Sequence, residues 1–296
     1  MIGSVKEYPA LEVRCESPDL LLAIVDDFSP TAIEERAGST RVFFSTAQAR
    51  DAARAALTPR FDTAALDVPD EDWAQRSQDT LTPITVGRIT IAPPSATLSP
   101  LPAALSSPAT SHKPPVTSHW SLVSSHQPPV TITIRPSMGF GTGHHATTRL
   151  CLAALQTMDL TGRAVLDVGT GSGVLAIAAA RLGAARAHGI DVDADAIQSA
   201  NENLALNPAV RRVTFEVADL TSTALPPAQV LTANLTGALL VRAAPLLLDA
   251  VHAGGALILS GLLANERDEV CRAFLPAAVC WEREEDGWIG LGMKKA

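Results

Sequence analysis

Between residues 164 and 191 the chain places two apolar runs, a glycine-rich turn and an acid in an order that few folds accommodate. Ala164 to Val168 reads as a strand, and Gly169, Gly171 and Gly173 punctuate the turn that follows. The Ala-rich stretch Val174 to Leu182 reads as a helix, and a second strand, Ala187 to Ile190, delivers Asp191. The glycines let backbone come close to a ligand, because only a hydrogen side chain leaves that space. A carboxylate at the end of the second strand is placed to accept hydrogen bonds from a ribose diol. Together these features predict a nucleoside-binding βαβ unit in an α/β chain.

Glycine spacing separates two cofactor classes. A dinucleotide fingerprint runs G-x-G-x-x-G, with a pyrophosphate on the helix N-terminus. Here the third glycine arrives one residue early, and Asp167 precedes the first by two. A carboxylate so near the loop suits a ligand with a cationic centre and an amino-acid ammonium better than it suits a pyrophosphate. The run Asp167-x-Gly169-x-Gly171-x-Gly173 resembles motif I of the Rossmann-like class I methyltransferases, which bind S-adenosyl-L-methionine. That likeness implies a site for this cofactor lined by Asp167, Gly169, Gly171, Gly173 and Asp191. A nucleotide-dependent oxidoreductase, or a plain glycine-rich turn, remain the alternatives at this point.

Composition narrows the class. At 296 residues, 47% of them hydrophobic, the chain predicts two globular domains. A net charge of −8 with no Lys/Arg cluster argues against direct nucleic-acid binding, where cationic surface supplies most of the affinity. It suits a lysine-bearing protein partner. Cys15, Cys151, Cys271 and Cys280 have neither metal-like nor redox-like spacing, so no metal site and a reduced, cytoplasmic setting are expected. No apolar leader opens the chain, and its longest apolar stretch, near 238–264, is broken by Arg242 and Asp249. We expect no membrane segment and a monomer.

Residues 95–130 hold nine Ser, seven Pro, one Lys and no acid, a composition that reads as a linker. Within it Ser111-His-Lys-Pro-Pro-Val-Thr117 recurs as Ser125-His-Gln-Pro-Pro-Val-Thr131, and His112, His119 and His126 belong to this semi-extended segment rather than to a metal site. Residues 1–94 read as strands at Ala10–Cys15, Thr31–Glu35, Arg41–Ser45 and Phe61–Leu66, with helices opening at Ser17 and spanning Thr46–Leu57. The order β-α-β-β-α-β predicts a small ferredoxin-like α+β domain. Residues 131–296 form the second domain. A strand, Val130–Ile134, leads through a glycine run to a helix at Ala146–Met158; a helix at Ala238–Ala250 and strands at Ala256–Ser260 and Trp288–Met293 continue a doubly wound sheet.

Three further segments bear on the chemistry. The run Gly139-Phe-Gly-Thr-Gly-His-His-Ala-Thr-Thr148 places a glycine loop before a helix start, where carboxylates are attracted. His144 and His145 read there as cap or packing residues. Asp219 ends another strand, placed to accept from an adenine amino group or to cap a turn. Asn234 ends a third, where its carbonyl can accept from an amine nucleophile and aim the lone pair at an electrophilic methyl.

With Asp70-Glu-Asp-Trp73, Ala233-Asn-Leu235 and Leu259-Ser-Gly-Leu-Leu263 added in order, the chain resembles the PrmA family, methyltransferases of the eleventh large-subunit ribosomal protein. The resemblance implies that Thr148, Gly169, Asp191 and Asn234 contact S-adenosylmethionine, with Asn234 also near the incoming amine. It further implies that the N-terminal domain docks the ribosomal protein for methylation of lysine and α-amino groups. Ala74–Leu81 departs from the family in being polar without a second Trp. A sister group that methylates lysines of the electron-transfer flavoprotein β subunit is the alternative within the class, and a small-molecule amine methyltransferase is another. A base methyltransferase would follow its Asn with Pro-Pro and an aromatic residue, whereas Leu235 and Thr236 stand here. A short-chain dehydrogenase needs a catalytic tyrosine, and the one tyrosine is Tyr8. A non-enzymatic adaptor would be expected to lose loop glycines or Asp191.

Overall fold

A computed structural model describes residues 7–15, 30–36, 38–69, 82–94, 96, 128–135 and 145–296, with the single positions 21, 24, 25 and 28. They divide into two compact units, one up to residue 69 and one beyond residue 81.

In the smaller unit β1 (Glu7–Arg14), β2 (Ala32–Arg36), β3 (Ser39–Phe43) and β4 (Asp62–Pro69) form an antiparallel sheet in the order β2-β3-β1-β4. Alternation along β1 sends Leu11 and Val13 into a core with Val42, Phe44, Ala53 and Leu57, while Ala10 packs with Phe43 and Val68. Helix α1 (Ala47–Leu57) is capped by Thr46, whose hydroxyl accepts the Ala49 N–H at 3.2 Å. Of the helix expected at Ser17, Leu21, Ile24 and Val25 are described and helical. The Asp70–Trp73 stretch lies outside the described residues.

The larger unit begins before the expected linker. β5 (Ile84–Val86) and β6 (Ile89–Ala92) form a hairpin, and β7 (Val130–Thr133) pairs in parallel with β6. Residues 82–94 therefore group with the second domain rather than the first. The reason is apolar: Ile89 and Ile91 share a core with Val130, Ile132 and Leu152. The His112, His119 and His126 repeat falls outside the described residues.

The main sheet holds seven strands: β8 (Ala164–Val168), β9 (Arg186–Asp191), β10 (Val213–Val217), β11 (Ala228–Asn234), β12 (Val251–Leu263), β13 (Ala278–Glu285) and β14 (Trp288–Lys294). Their order is β10-β9-β8-β11-β12-β14-β13, the first five parallel and β14 inserted antiparallel between β12 and β13. Helices α2 (Ala146–Leu155), α3 (Val174–Arg181), α4 (Ala194–Ala205), α5 (Gly237–Ala250) and α6 (Arg267–Ala273) connect them. β8 is buried on both faces, as a parallel strand between helix layers must be. Val165 packs with Ile177 of α3 on one side, and Leu166 and Val168 pack with Leu240 and Leu247 of α5 on the other. Arg149 of α2 donates to Glu285 at 2.6 Å and Asp286 at 3.2 Å, fixing that helix to the β13–β14 hairpin. This is the doubly wound α/β sheet that the sequence predicts.

Candidate functional site

Strand order reverses between β8 and β11: the chain steps from β8 outward to β10, then returns to the other side of β8. Ligands of open α/β sheets bind beyond the carboxyl ends of the strands at such a switch point. Gly169, Gly171, Asp191 and Asn234 are brought there together. The loop after β8 has φ of +70° at Gly169, +50° at Gly171 and +79° at Gly173, which explains three glycines in five residues. A Cβ on Gly173 would lie 2.6 Å from the Phe215 ring, and one on Gly169 would lie 2.5 Å from a Leu235 methyl. Gly169 and Thr170 both donate to the Ile190 carbonyl at 2.9 Å, so the loop turns across the end of β9.

Asp167 does not face a ligand. It is fully buried, with Oδ2 accepting from the Thr170 hydroxyl at 2.6 Å and Oδ1 from the Thr232 hydroxyl at 2.5 Å. Thr232 stands opposite Asp167 in the β8–β11 register, and the side-chain period of 2 puts both on the α3 face. Burial pushes the carboxyl up to about 6, with the two hydroxyl bonds opposing the rise and the Asp191 charge adding to it. Asp167 thus ties the glycine loop to β11.

Asp191 accepts the Gly171 N–H on Oδ2 at 2.9 Å and the Asp193 N–H on Oδ1 at 3.1 Å. Each oxygen keeps further acceptor capacity for a diol. Beside it two apolar side chains stand in solvent, Val192 71% exposed and Val217 51% exposed. Val217 pairs with Asp191 in the parallel ladder, so both valines flank the acid. The sequence reading missed them, although an apolar residue directly after a strand-ending acid was the available signal. Asp219 is exposed and folds onto its own turn: Oδ1 accepts the Thr221 N–H at 2.8 Å and its hydroxyl at 2.7 Å, which holds the carboxyl below its ordinary range. The turn-capping reading describes it in this structure.

Asn234 ends β11 half-buried, one residue beyond the Ala233–Val168 pair, and its side-chain amide has no hydrogen-bond partner among the described residues. The backbone around it is held tightly. Leu235 donates to the Ser260 carbonyl at 3.0 Å, and Gly261, at φ +86°, leaves room for the Leu235 backbone where any Cβ would collide. This accounts for the glycine of the Leu259–Leu263 stretch, and the Ser260 hydroxyl donates to the Ile289 carbonyl at 2.8 Å.

Thr148 is not brought to this surface. It sits in the first turn of α2 and is 1% exposed. His145 is the N-cap of that helix, its Nδ1 accepting the Thr147 N–H at 3.4 Å with its ring edge-on to Trp288, and this is the expected cap role. His144 and the glycine run before it lie outside the described residues. Among those residues no cluster of three metal-ligating side chains forms, and no helix is long and apolar enough to cross a membrane.

The glycine loop, the Asp191 carboxylate and the exposed valines gather at the carboxyl ends of β8, β9 and β10. Fold and site together define a class I, Rossmann-like, S-adenosylmethionine-dependent methyltransferase. A crystal structure of ribosomal protein L11 methylase from Lactobacillus delbrueckii subsp. bulgaricus shares the fold at a TM-score of 0.59, with 23% identity over 73% of this chain and 99% of that one. The family model for ribosomal protein L11 methyltransferase (PrmA) matches residues 108–296, and the chain belongs to that family. Ribosomal protein L11 methyltransferases from Pelobacter propionicus and Azotobacter vinelandii are each 36% identical to it, over 77% and 76% of this chain and 68% of each relative.

Proposed function

We propose that this protein transfers methyl groups from S-adenosylmethionine to lysine and α-amino groups of ribosomal protein L11. The observation that carries the reading is Asn234: an amide without a hydrogen-bond partner among the described residues, fixed at the switch point beside the glycine loop. The cofactor, when bound, supplies a sulfonium methyl. Asp191 holds the ribose, Gly169 and Gly171 let the backbone approach, and Val192 and Val217 give the base an apolar floor. The Asn234 carbonyl accepts an N–H from the incoming amine and orients its lone pair. A lysine amine in water titrates at about 10.4. It must therefore shed its proton first, and desolvation beside a cation lowers that cost. Positioning, more than a strong base, then sets the rate.

The smaller unit suits a docking role. Its strand order, with β1 and β3 central, supports the ferredoxin-like reading. Residues 1–81 carry fifteen of the chain's 31 acids but only eight of its 23 Lys and Arg, so nearly all the net negative charge resides there. An acidic module steers a lysine-rich partner, with a salt dependence that neutral surfaces lack. Intact-protein mass spectrometry of purified L11, incubated with enzyme and cofactor, tests the proposal. Mass gains in steps of about 14 Da per methyl are expected. An unchanged L11, with cofactor binding demonstrated, would overturn the substrate assignment.

A further inference from the structure

Two asparagines of the α4 region make a clasp that the reaction as described does not use. Asn203 is fully buried: its Oδ1 accepts the Arg135 N–H at 2.8 Å, and its Nδ2 donates to the Ser172 carbonyl at 3.0 Å. Asn207, one turn on, accepts the Thr133 N–H at 3.0 Å and donates to the Thr133 and Asn203 carbonyls at 2.7 Å each. Its side-chain amide thus exchanges both bonds with Thr133, as an antiparallel neighbour residue would. The free edge of β7 is closed by side chains, and the same helix reaches into the glycine loop.

The loop needs such a tether. The Ser172–Gly173 peptide joins a residue after Gly171 to a glycine at φ +79°, where sterics scarcely restrict rotation. Two bonds act on it directly. The Gly173 N–H donates to the Thr170 carbonyl at 2.9 Å, and the Ser172 carbonyl accepts from Asn203. The second comes from outside the loop, from α4. That peptide follows directly on Gly171, whose own N–H donates to Asp191 at 2.9 Å. We infer that Asn203 is a positioning residue for the cofactor: it fixes the 171–173 backbone in the orientation that receives S-adenosylmethionine, using the carboxyl end of β7 as anchor.

This rests on the cofactor reading above, and the experiment separates the two. Asn203→Asp keeps the acceptor for Arg135 but sets an oxygen against the Ser172 carbonyl; Asn207→Ala releases Thr133 and leaves the loop bond in place. Calorimetric titration with S-adenosylhomocysteine should show Asn203→Asp binding roughly 10–100-fold more weakly, the loss of one or two units of ~1.4 kcal/mol. Asn207→Ala should stay within about threefold of the parent at 1.4 kcal/mol per decade, even where its melting temperature falls as far. Equal affinities for parent and Asn203→Asp overturn the inference, as do equal losses in the two variants. Hydrogen exchange on the unaltered chain covers a variant that fails to fold. Saturating S-adenosylhomocysteine should slow exchange at Gly173 and Arg135 together, and protection at Gly173 with Arg135 unchanged overturns the inference. A parent chain that binds no S-adenosylhomocysteine overturns the cofactor reading itself, and this inference with it.

Discussion

Replacing Thr232 with valine should destabilise the larger unit in a pH-dependent way. The two side chains are nearly isosteric, so the change removes a hydroxyl and little else. That hydroxyl lies 2.5 Å from Oδ1 of the fully buried Asp167. Hydrogen bonds to charged groups contribute about 1.5–3 kcal/mol, and those between neutral groups about 0.5–1.5 kcal/mol. Burial raises the Asp167 carboxyl from its ordinary 3.8 to about 6. A carboxyl whose folded pKa is raised contributes stability that is full below the unfolded value and is lost as pH climbs through the folded one. At pH 8 the group is ionised and Thr232 is one of its two hydroxyl donors; at pH 5 it is mostly protonated and depends on them less. The variant should therefore lose about 2–3 kcal/mol at pH 8 and about 1 kcal/mol at pH 5. At about 2–4 °C per kcal/mol, scanning calorimetry should show the affected transition falling by about 4–12 °C at pH 8 and about 2–4 °C at pH 5. A shift equal at both pH values, or larger at pH 5, would refute the assignment of Asp167 as an ionised anchor above pH 6.

Asp191→Ala removes the proposed ribose acceptor and the partner of the Gly171 N–H; S-adenosylhomocysteine affinity should fall about 10–100-fold by calorimetry at ~1.4 kcal/mol per decade, with circular dichroism unchanged. Retained affinity would remove Asp191 from the site. Asn234→Ala should keep cofactor affinity and lose about a hundredfold in kcat, close to ~2.7 kcal/mol of barrier; a parental rate on L11 would exclude Asn234 from the mechanism. Gly173→Ala forces φ +79° on a residue with a Cβ and drives that carbon to 2.6 Å from Phe215. It should cost at least about 1–3 kcal/mol and weaken cofactor binding together, so an unchanged melting temperature would show that the loop can reshape.

What the sequence made legible follows from which forces act locally. The βαβ unit from Ala164 to Asp191 was readable because strand burial, glycine positions and the terminal acid each leave a short-range signature. The β13–β14 hairpin also carried one, Asp286-Gly287 with φ of +53° and +78°, yet the charged run Glu282-Arg-Glu-Glu285 hid the strand before it. Edge strands carry such charges to discourage further pairing, so polarity there argues for an edge instead of a loop. Residues 82–94 were grouped with the wrong neighbour because parallel pairing of β6 with β7 bridges a long Pro- and Ser-rich interval, and sequence proximity says nothing about such pairing. Asp167 looked like a ligand-facing acid. A motif gives spacing along the chain, whereas the direction of a side chain depends on the strand's pleat.

The last point bears on how the site is built. The two acids of the βαβ unit stand on neighbouring strands, Asp167 opposite Gly189 in the ladder and Asp191 two residues further along. One is sealed beneath the glycine loop and held by two hydroxyls; the other is at the rim, held by two backbone N–H groups. A buried anion is costly unless its lone pairs are filled, and these partners come from the loop, from β11 and from the Ala176 N–H of α3. The loop cannot leave its place without stripping the Thr170 bond from Asp167 and the Gly171 bond from Asp191. Asn203 adds a third restraint, from α4 to the Ser172 carbonyl. Three glycines would otherwise make 169–173 the most conformationally free segment of the unit, and a free loop would lose binding energy to ordering each time a ligand arrived. Placing acceptors and donors around a side-chain-free turn gives close approach and a fixed shape at once, which a transfer reaction governed by positioning requires.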